Sequence, residues 1–313
     1  MRYILDRRRA GFSIKELLVV ILIVGTLIAV LVPPVQKVRE AQARTNSTNN
    51  LKAIGLAAHS FHDMHKRLPF NGSAVAVKDE SYSLNAVANQ PRSGSWAFQI
   101  APFMDQRAMF AAGTSDSGIA LLMCPGRGRP STSTTPAVGA TTPPWSDYVI
   151  NPWLNDTIAG GGITTSNAAP DIGRSLVGIT DGTSNTIFFG QGQINTQDYG
   201  KREAIPGYID TILKGGTTAT ALSSDIAAGP VAFARDSADT RRDAARGWGG
   251  PHEAGCLMCM GDATVRLFPY AVGLGKFMPN GAADEVGTLA AFLTPCGGEV
   301  VTLGDTVGNF EDD

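Results

Sequence analysis

The chain has 313 residues, with 26 Lys+Arg against 28 Asp+Glu and a formal charge of −2. That balance argues against a nucleic-acid-binding face made by bulk positive charge, and four cysteines are too few for a disulfide scaffold. Thirty-six glycines and eighteen prolines imply many turns and exclude a plain helical bundle. Charge is sorted along the chain, most sharply at its start. Residues 1–11 hold Arg2, Arg7, Arg8 and Arg9 against Asp6, and an uncharged run follows from Leu17 to Val32. The stretch from Phe12 to Val35 would span about 36 Å as a helix, enough for a hydrocarbon core of about 30 Å. The preceding arginines predict a cytoplasmic N-terminus. A cleaved secretory signal ends at small residues of the A-x-A kind; this run ends in Val32-Pro33-Pro34 and continues into a helical pattern. An ordinary signal anchor stays open on these residues alone.

Pro33 and Pro34 lack backbone donors where the helix leaves the membrane, which predicts a kink there. Beyond them Leu51, Ile54, Ala58 and Phe61 recur at three- to four-residue steps, giving one apolar helical face, and Pro69 closes the run. The pattern predicts a long helix over residues 12–68 with a transmembrane half at 12–35. From about Phe70 the texture changes. Short β-prone runs at Trp96–Ile100, Ser146–Ile150, Asn185–Phe189, Val231–Ala234, Gly255–Met260, Thr264–Phe268 and Glu299–Leu303 alternate with turn-rich segments. Gln99–Ala112 and Gly281–Phe292 have helical spacing. Gly126–Pro144, Gly160–Asn167 and Lys214–Pro230 read as surface loops. The expected fold class is α+β, a long N-terminal helix packed on an antiparallel β-rich lobe over residues 69–313.

Glu16 is the anomaly in the first helix, because a carboxylate at the mouth of a membrane span costs roughly 3 kcal/mol unless paired. The segment Gly11-Phe12-Ser13-Ile14-Lys15-Glu16-Leu17-Leu18-Val19-Val20-Ile21 resembles the type IV prepilin processing signal. The resemblance implies cleavage after Gly11 by a prepilin peptidase/methyltransferase and methylation of Phe12 as the new N-terminus. It also implies that Glu16 pairs with the terminal amine of a neighbouring subunit, an attraction that hydrocarbon screens poorly. Lys15 departs from the pattern, which has an apolar residue there. It either neutralises Glu16 within the subunit or snorkels to the headgroups. Loss of residues 1–11 removes four Arg and one Asp, so 26 against 28 becomes 22 against 27 and the charge becomes −5.

Further matches follow in order. They are Val32-Pro33-Pro34-Val35-Gln36-Lys37-Val38-Arg39-Glu40-Ala41, Asn49-Asn50-Leu51-Lys52-Ala53-Ile54-Gly55-Leu56, Ser95-Trp96 and Pro102-Phe103-Met104-Asp105-Gln106. Met123-Cys124-Pro125, Asp181-Gly182-Thr183-Ser184-Asn185-Thr186, His252 with Asp262, and Gly297-Gly298-Glu299-Val300 come later. Together they resemble a large bacterial family of prepilin-like proteins built on a domain of unknown function and often marked by an H-x9-D-G motif. Three positions depart from that pattern. Ala263 replaces the motif's final glycine, Gln191 stands where relatives usually carry Glu, and Ser47 stands where many carry Cys.

Each chemical candidate has a structural counterpart. His252 and Asp262 suggest a metal or catalytic pair, or else the flanks of a hairpin whose Gly261-Asp262 suits a type II′ turn; the hairpin is favoured. Cys256 and Cys259 have C-x-x-C spacing, yet a strand sends positions i and i+3 to opposite faces, so they read as apolar filler. Pairing of Cys124 with Cys296 outside the cytoplasm stays open. His59, His62, His65 and Asp63 have ligand chemistry, but histidines also suit a helix C-terminus, and no metal or other cofactor is expected. Asp181, Gly182, Ser184 and Asn185 read as a turn entering a strand, against a calcium site or a nucleophilic Ser184. The sequence holds no G-x-S-x-G, P-loop, H-E-x-x-H or dinucleotide fingerprint.

The expectation is therefore a non-enzymatic structural subunit, a pilin or a type II secretion-like pseudopilin. It would sit in the inner membrane as a single-pass protein with a cytoplasmic N-terminus and an extracytoplasmic lobe. Its helix would assemble with identical or related pilin-like subunits, extending to a cell-surface filament, without nucleic acid. The competing expectation is a membrane-anchored extracytoplasmic protein that binds a glycan or other solute through the loops Gly126–Pro144 and Lys214–Pro230.

Overall fold

A computed structural model of the chain describes residues 13–70, 94–112, 118–129, 131, 145–155, 173–200, 212, 233–240, 247–272 and 289–295. Helix α1 (Ile14–His65) has 52 residues and runs unbroken through Pro33 and Pro34. The helix is therefore not interrupted at the two prolines. Each proline loses its own N–H bond and crowds the carbonyl four residues before it, while the neighbouring i to i−4 bonds carry the helix onward. The helix stops at His65, ahead of Pro69, because Lys66 turns left-handed at φ 58° while its N–H still closes on the His62 carbonyl.

The chain divides into two compact units, residues 1–43 and 44–313. In the first, the apolar side chains of α1 are exposed all round, from Ile14 at 79% to Val30 at 73%. In the second, the continuation of the same helix is core. Leu51, Ile54 and Phe61 are fully buried and Ala57 and Ala58 nearly so.

That second unit holds a four-stranded antiparallel sheet in the order β1-β2-β3-β4. The strands are β1 (Tyr148–Ile150), β2 (Ile187–Gln191), β3 (Cys256–Met260) and β4 (Val265–Phe268). Register pairs Val149 with Gly190, Phe189 with Cys259, and Met258 with Arg266. Alternate residues face opposite ways. Tyr148, Ile150, Phe189, Leu257 and Cys259 join the cluster built on Leu51, Ile54 and Phe61 of α1. Val149, Ile187, Cys256, Met258 and Met260 join a second cluster with Trp248, Phe268 and Phe292. Both faces are therefore covered, and Cys256 and Cys259 lie in different clusters, as the strand period predicts. The α+β class with a long N-terminal helix holds.

Three expected elements differ. Trp96–Ile100, expected as a strand, is helix α2, started by the Ser95 Oγ accepting the Phe98 N–H. All five of its residues are buried, so no polar face marks a helical period. The helix expected over Gln99–Ala112 is broken into α2, a 3-10 turn at Ala101–Met104 and α3 (Arg107–Ala112), because Asp105 turns left-handed at φ 59°. Val231–Ala234 contributes only an isolated bridge from Phe233 to Trp248 within its described residues. Of Gly281–Phe292, the described part is helix α4 (Leu289–Leu293). Glu299–Leu303, Gly160–Asn167, Lys214–Pro230 and most of Gly126–Pro144 lie outside the described residues.

The β3–β4 hairpin is the part of the sheet that sets its distance from α1. A Cβ placed on Gly55 would lie 2.8 Å from the Cys259 Sγ and 3.0 Å from the Ala263 Cβ, so glycine alone admits this approach. The turn is not type II′. The Ala263 N–H donates to the Met260 carbonyl at 3.0 Å, the Met260 N–H to the Thr264 carbonyl at 2.8 Å, and Ala263 takes φ 64°. These bonds define a three-residue loop ending in a left-handed residue, the position glycine favours. Ala263 fills it with a strained backbone.

Candidate functional site

At the start of the chain, Gly11 and Phe12 lie outside the described residues. Glu16 occupies the third position of α1, and its Oε2 accepts the Ser13 N–H at 2.9 Å. The Leu17 N–H closes on the Ser13 carbonyl at 3.1 Å, making Ser13 the N-cap. Ser13-x-x-Glu16 is the carboxylate half of a capping box, a signal readable in the sequence but not drawn from it. Both residues are exposed, so the carboxylate is held at the helix mouth and remains accessible. The helix it opens is long and apolar enough to cross a membrane.

In the lobe, the Asp181 segment is a turn. Gly182 is left-handed at φ 91°, the Asn185 N–H donates to the Gly182 carbonyl at 3.0 Å, and the Asn185 Nδ2 donates to the Asp181 carbonyl at 3.3 Å. Ser184 sits inside this turn, which leads into β2. His252 and Asp262 are not brought together. Asp262 caps the exposed hairpin, its Oδ1 accepting the Thr264 N–H at 2.9 Å and the Thr264 Oγ1 at 2.6 Å. His252 is buried before the other end of β3, roughly 17 Å of strand away. The charged groups around it are Arg127, Arg44, Asp236 and Arg235.

Two of the three helix histidines, His62 and His65, are also committed. The His62 Nε2 accepts the Leu176 N–H at 3.2 Å, and burial holds its pKa below the usual value. His65 stacks on Phe61 with ring centroids 4.3 Å apart. Among the described residues no group of three His, Cys, Asp or Glu side chains could hold a metal.

Two buried polar clusters stand out instead. The first centres on Arg127, whose side chain is fully buried. Its Nε donates to the Asp236 Oδ2 at 2.7 Å, its Nη2 to the Asp236 Oδ1 at 3.2 Å and to the Gly192 and Gly249 carbonyls at 2.7 and 3.2 Å, and its Nη1 to the Asp147 carbonyl at 3.4 Å. Asp147 also accepts the Cys124 N–H at 2.8 Å and an Arg129 Nη1 bond. Asp236 further accepts the Ile194 N–H at 2.8 Å and the Tyr199 hydroxyl at 2.6 Å. Burial opposes the Arg127 charge, but Asp236 and Asp147 outweigh it and hold the guanidinium protonated well above its ordinary range. No local pattern pointed to this hub.

The second cluster joins α1 to the sheet. The Ser47 Oγ shares a hydrogen bond with the Tyr148 hydroxyl at 2.9 Å, lies 3.7 Å from the Cys124 Sγ, and accepts from the Gln191 Nε2 at 3.1 Å. The Gln191 Oε1 accepts the Leu257 N–H at 3.1 Å. Cys124 is a free thiol in the structure and burial pushes its pKa up, while Cys296, the other half of the pairing left open, lies outside the described residues. Asn50, one turn along α1, donates from Nδ2 to the Met123 carbonyl at 3.1 Å.

A family model described as Protein of unknown function (DUF1559) matches residues 36–275. The chain belongs to this family. No curated protein and no solved structure matches it. The matched span contains both clusters and the Asp181 turn, and it starts after the apolar half of α1. Within this DUF1559 lobe the charged and polar groups tie chain segments to one another. Ser47 and Gln191, the two positions expected to depart from the family pattern, are contacting neighbours.

Proposed function

We propose that this DUF1559 protein is a pilin-like structural subunit, stored in the inner membrane and assembled through the apolar half of α1. One observation supports the reading above the others. A single unbroken helix begins with a capped, accessible carboxylate, exposes apolar side chains on every side as far as Val35, and then becomes the core of the lobe. An apolar surface of that kind is stable only in lipid or against other helices. In the proposed sequence of events, a prepilin peptidase/methyltransferase cuts after Gly11, Phe12 becomes the methylated N-terminus, and Glu16 exchanges its own Ser13 amide for the terminal ammonium of a neighbour. The N-terminus is cytoplasmic and the lobe extracytoplasmic, following the arginine-rich leader.

Intact-mass analysis of the protein from native membranes is expected to give a chain starting at Phe12 with one added methyl group. A chain retaining Met1 overturns the processing step. Glu16→Ala should insert normally yet lose filaments seen by negative stain; filaments of wild-type abundance in that variant would remove Glu16 from assembly.

A further inference from the structure

His252 belongs to the family motif but takes no part in the assembly reading, and its surroundings give it a separate role. The residue is buried, and among the described residues its Nε2 has no hydrogen-bond partner. Its ring packs on the turn that carries Arg127: a Cβ on Gly126 would lie 3.2 Å from the His252 Cε1 and 2.8 Å from the Pro251 Cγ. Among the described residues four charged groups act on it. Arg127 comes from the turn, Arg44 from α1, and Arg235 and Asp236 from the segment whose Arg235 Nε donates to the Pro251 carbonyl at 3.2 Å.

Three of these four are cations. The one carboxylate, Asp236, has no capacity left to answer a new positive charge. Its Oδ1 already accepts from the Arg127 Nη2 and the Ile194 N–H, and its Oδ2 from the Arg127 Nε and the Tyr199 hydroxyl, which fills the roughly four acceptor sites of a carboxylate. An imidazolium at position 252 would therefore be buried, unpaired and flanked by guanidinium groups.

We propose that His252 is an acid-sensitive latch on the arginine hub. Neutral, it seats the Cys124–Arg129 turn beside α1; protonated, it repels Arg127, Arg44 and Arg235 and releases that turn. Because Arg127 ties the segments around Asp147, Gly192, Asp236 and Gly249 together, the release loosens the place where all four meet. Burial first, and the Arg127 and Arg44 charges next, lower the folded pKa of His252 to about 4 from the ordinary 6.5. The sign follows: the folded state binds fewer protons than the unfolded state, so stability is complete above about pH 6.5 and falls as pH drops toward 4. The role stands on the lobe alone and is independent of filament formation.

The test is denaturant unfolding of the full-length protein in detergent at pH 7.5 and pH 5.0, for wild type and His252→Gln. Between these pH values the wild-type unfolding constant should rise about 30-fold more than that of the variant. Equal pH dependence in the two proteins overturns the latch. Should His252→Gln fail to fold, the wild type decides alone through NMR of selectively labelled histidine. A His252 midpoint below pH 5 supports the latch, and a midpoint near 6.5 overturns it. Hydrogen exchange, corrected for its intrinsic pH dependence, should accelerate at pH 5.0 in residues 122–129 and 247–252 before it does in β2 and β3. Uniform acceleration would show that acid acts elsewhere.

Discussion

Replacing Ser47 by Cys should bind α1 covalently to the lobe. The Ser47 Oγ and the Cys124 Sγ lie 3.7 Å apart, both are buried, and Cys124 is free. The two positions are 77 residues apart, and closing a loop of that length removes about 4 kcal/mol of unfolded-state freedom in the chain-entropy treatment. The gain is partly offset. Ser47 loses its bonds with the Tyr148 hydroxyl and the Gln191 Nε2, and two buried groups left with a poor sulfur acceptor cost about 2 kcal/mol together. Oxidised Ser47→Cys should therefore be about 2 kcal/mol more stable than wild type, and the reduced variant about 2 kcal/mol less stable. Non-reducing electrophoresis and thiol counting report the bond, and denaturant unfolding with and without reductant reports the energies. A Ser47→Cys protein that stays fully reduced under mild oxidant would refute the placement of Ser47 against Cys124. A bond that forms without separating the oxidised and reduced midpoints would refute the entropy argument.

Three further outcomes follow from the packing. Gly55→Ala improves helix propensity by about 1 kcal/mol, but its Cβ would meet the Cys259 Sγ at 2.8 Å, and overpacking costs about 1–3 kcal/mol. The variant should be destabilised, and combining it with Cys259→Ala should recover part of the loss; a more stable single variant contradicts the close approach. Arg127→Met leaves Asp236 buried without its cation and Asp147 with Arg129 alone, and should cost about 3–5 kcal/mol, read as a large drop in the unfolding midpoint. Ala263→Gly relieves about 1 kcal/mol of left-handed backbone cost and returns about half of it to the freer unfolded chain. The melting temperature should rise slightly, while a clear fall would mean that the Ala263 methyl against Gly55 outweighs the strain.

The parts of the fold that were legible are those whose period survives in the residues. Leu51, Ile54, Ala58 and Phe61 are spaced for one helix face because the other face of that helix meets water. The β3–β4 hairpin was legible from two apolar runs separated by Gly261-Asp262, although the left-handed position fell on Ala263. Trp96–Ile100 was misread because burial on all sides erases the period. Clusters built from distant residues leave no local trace. Arg127 meets its partners across 20, 65, 109 and 122 residues, and Ser47 meets Gln191 across 144. The departures at positions 47 and 191 were visible one at a time, but their contact depends on how β2 lies against α1.

The shared use of α1 also sets an order of events during synthesis. The helix that supplies Leu51, Ile54 and Phe61 leaves the ribosome first, whereas the hairpin that closes over Gly55 follows roughly two hundred residues later. Throughout that interval the future core face has no sheet to cover it, a condition in which free chains aggregate. If the apolar half inserts in a bilayer as proposed, each nascent chain would be held at one point. On the proposed reading the membrane would thus act first as a folding scaffold, before any question of assembly arises.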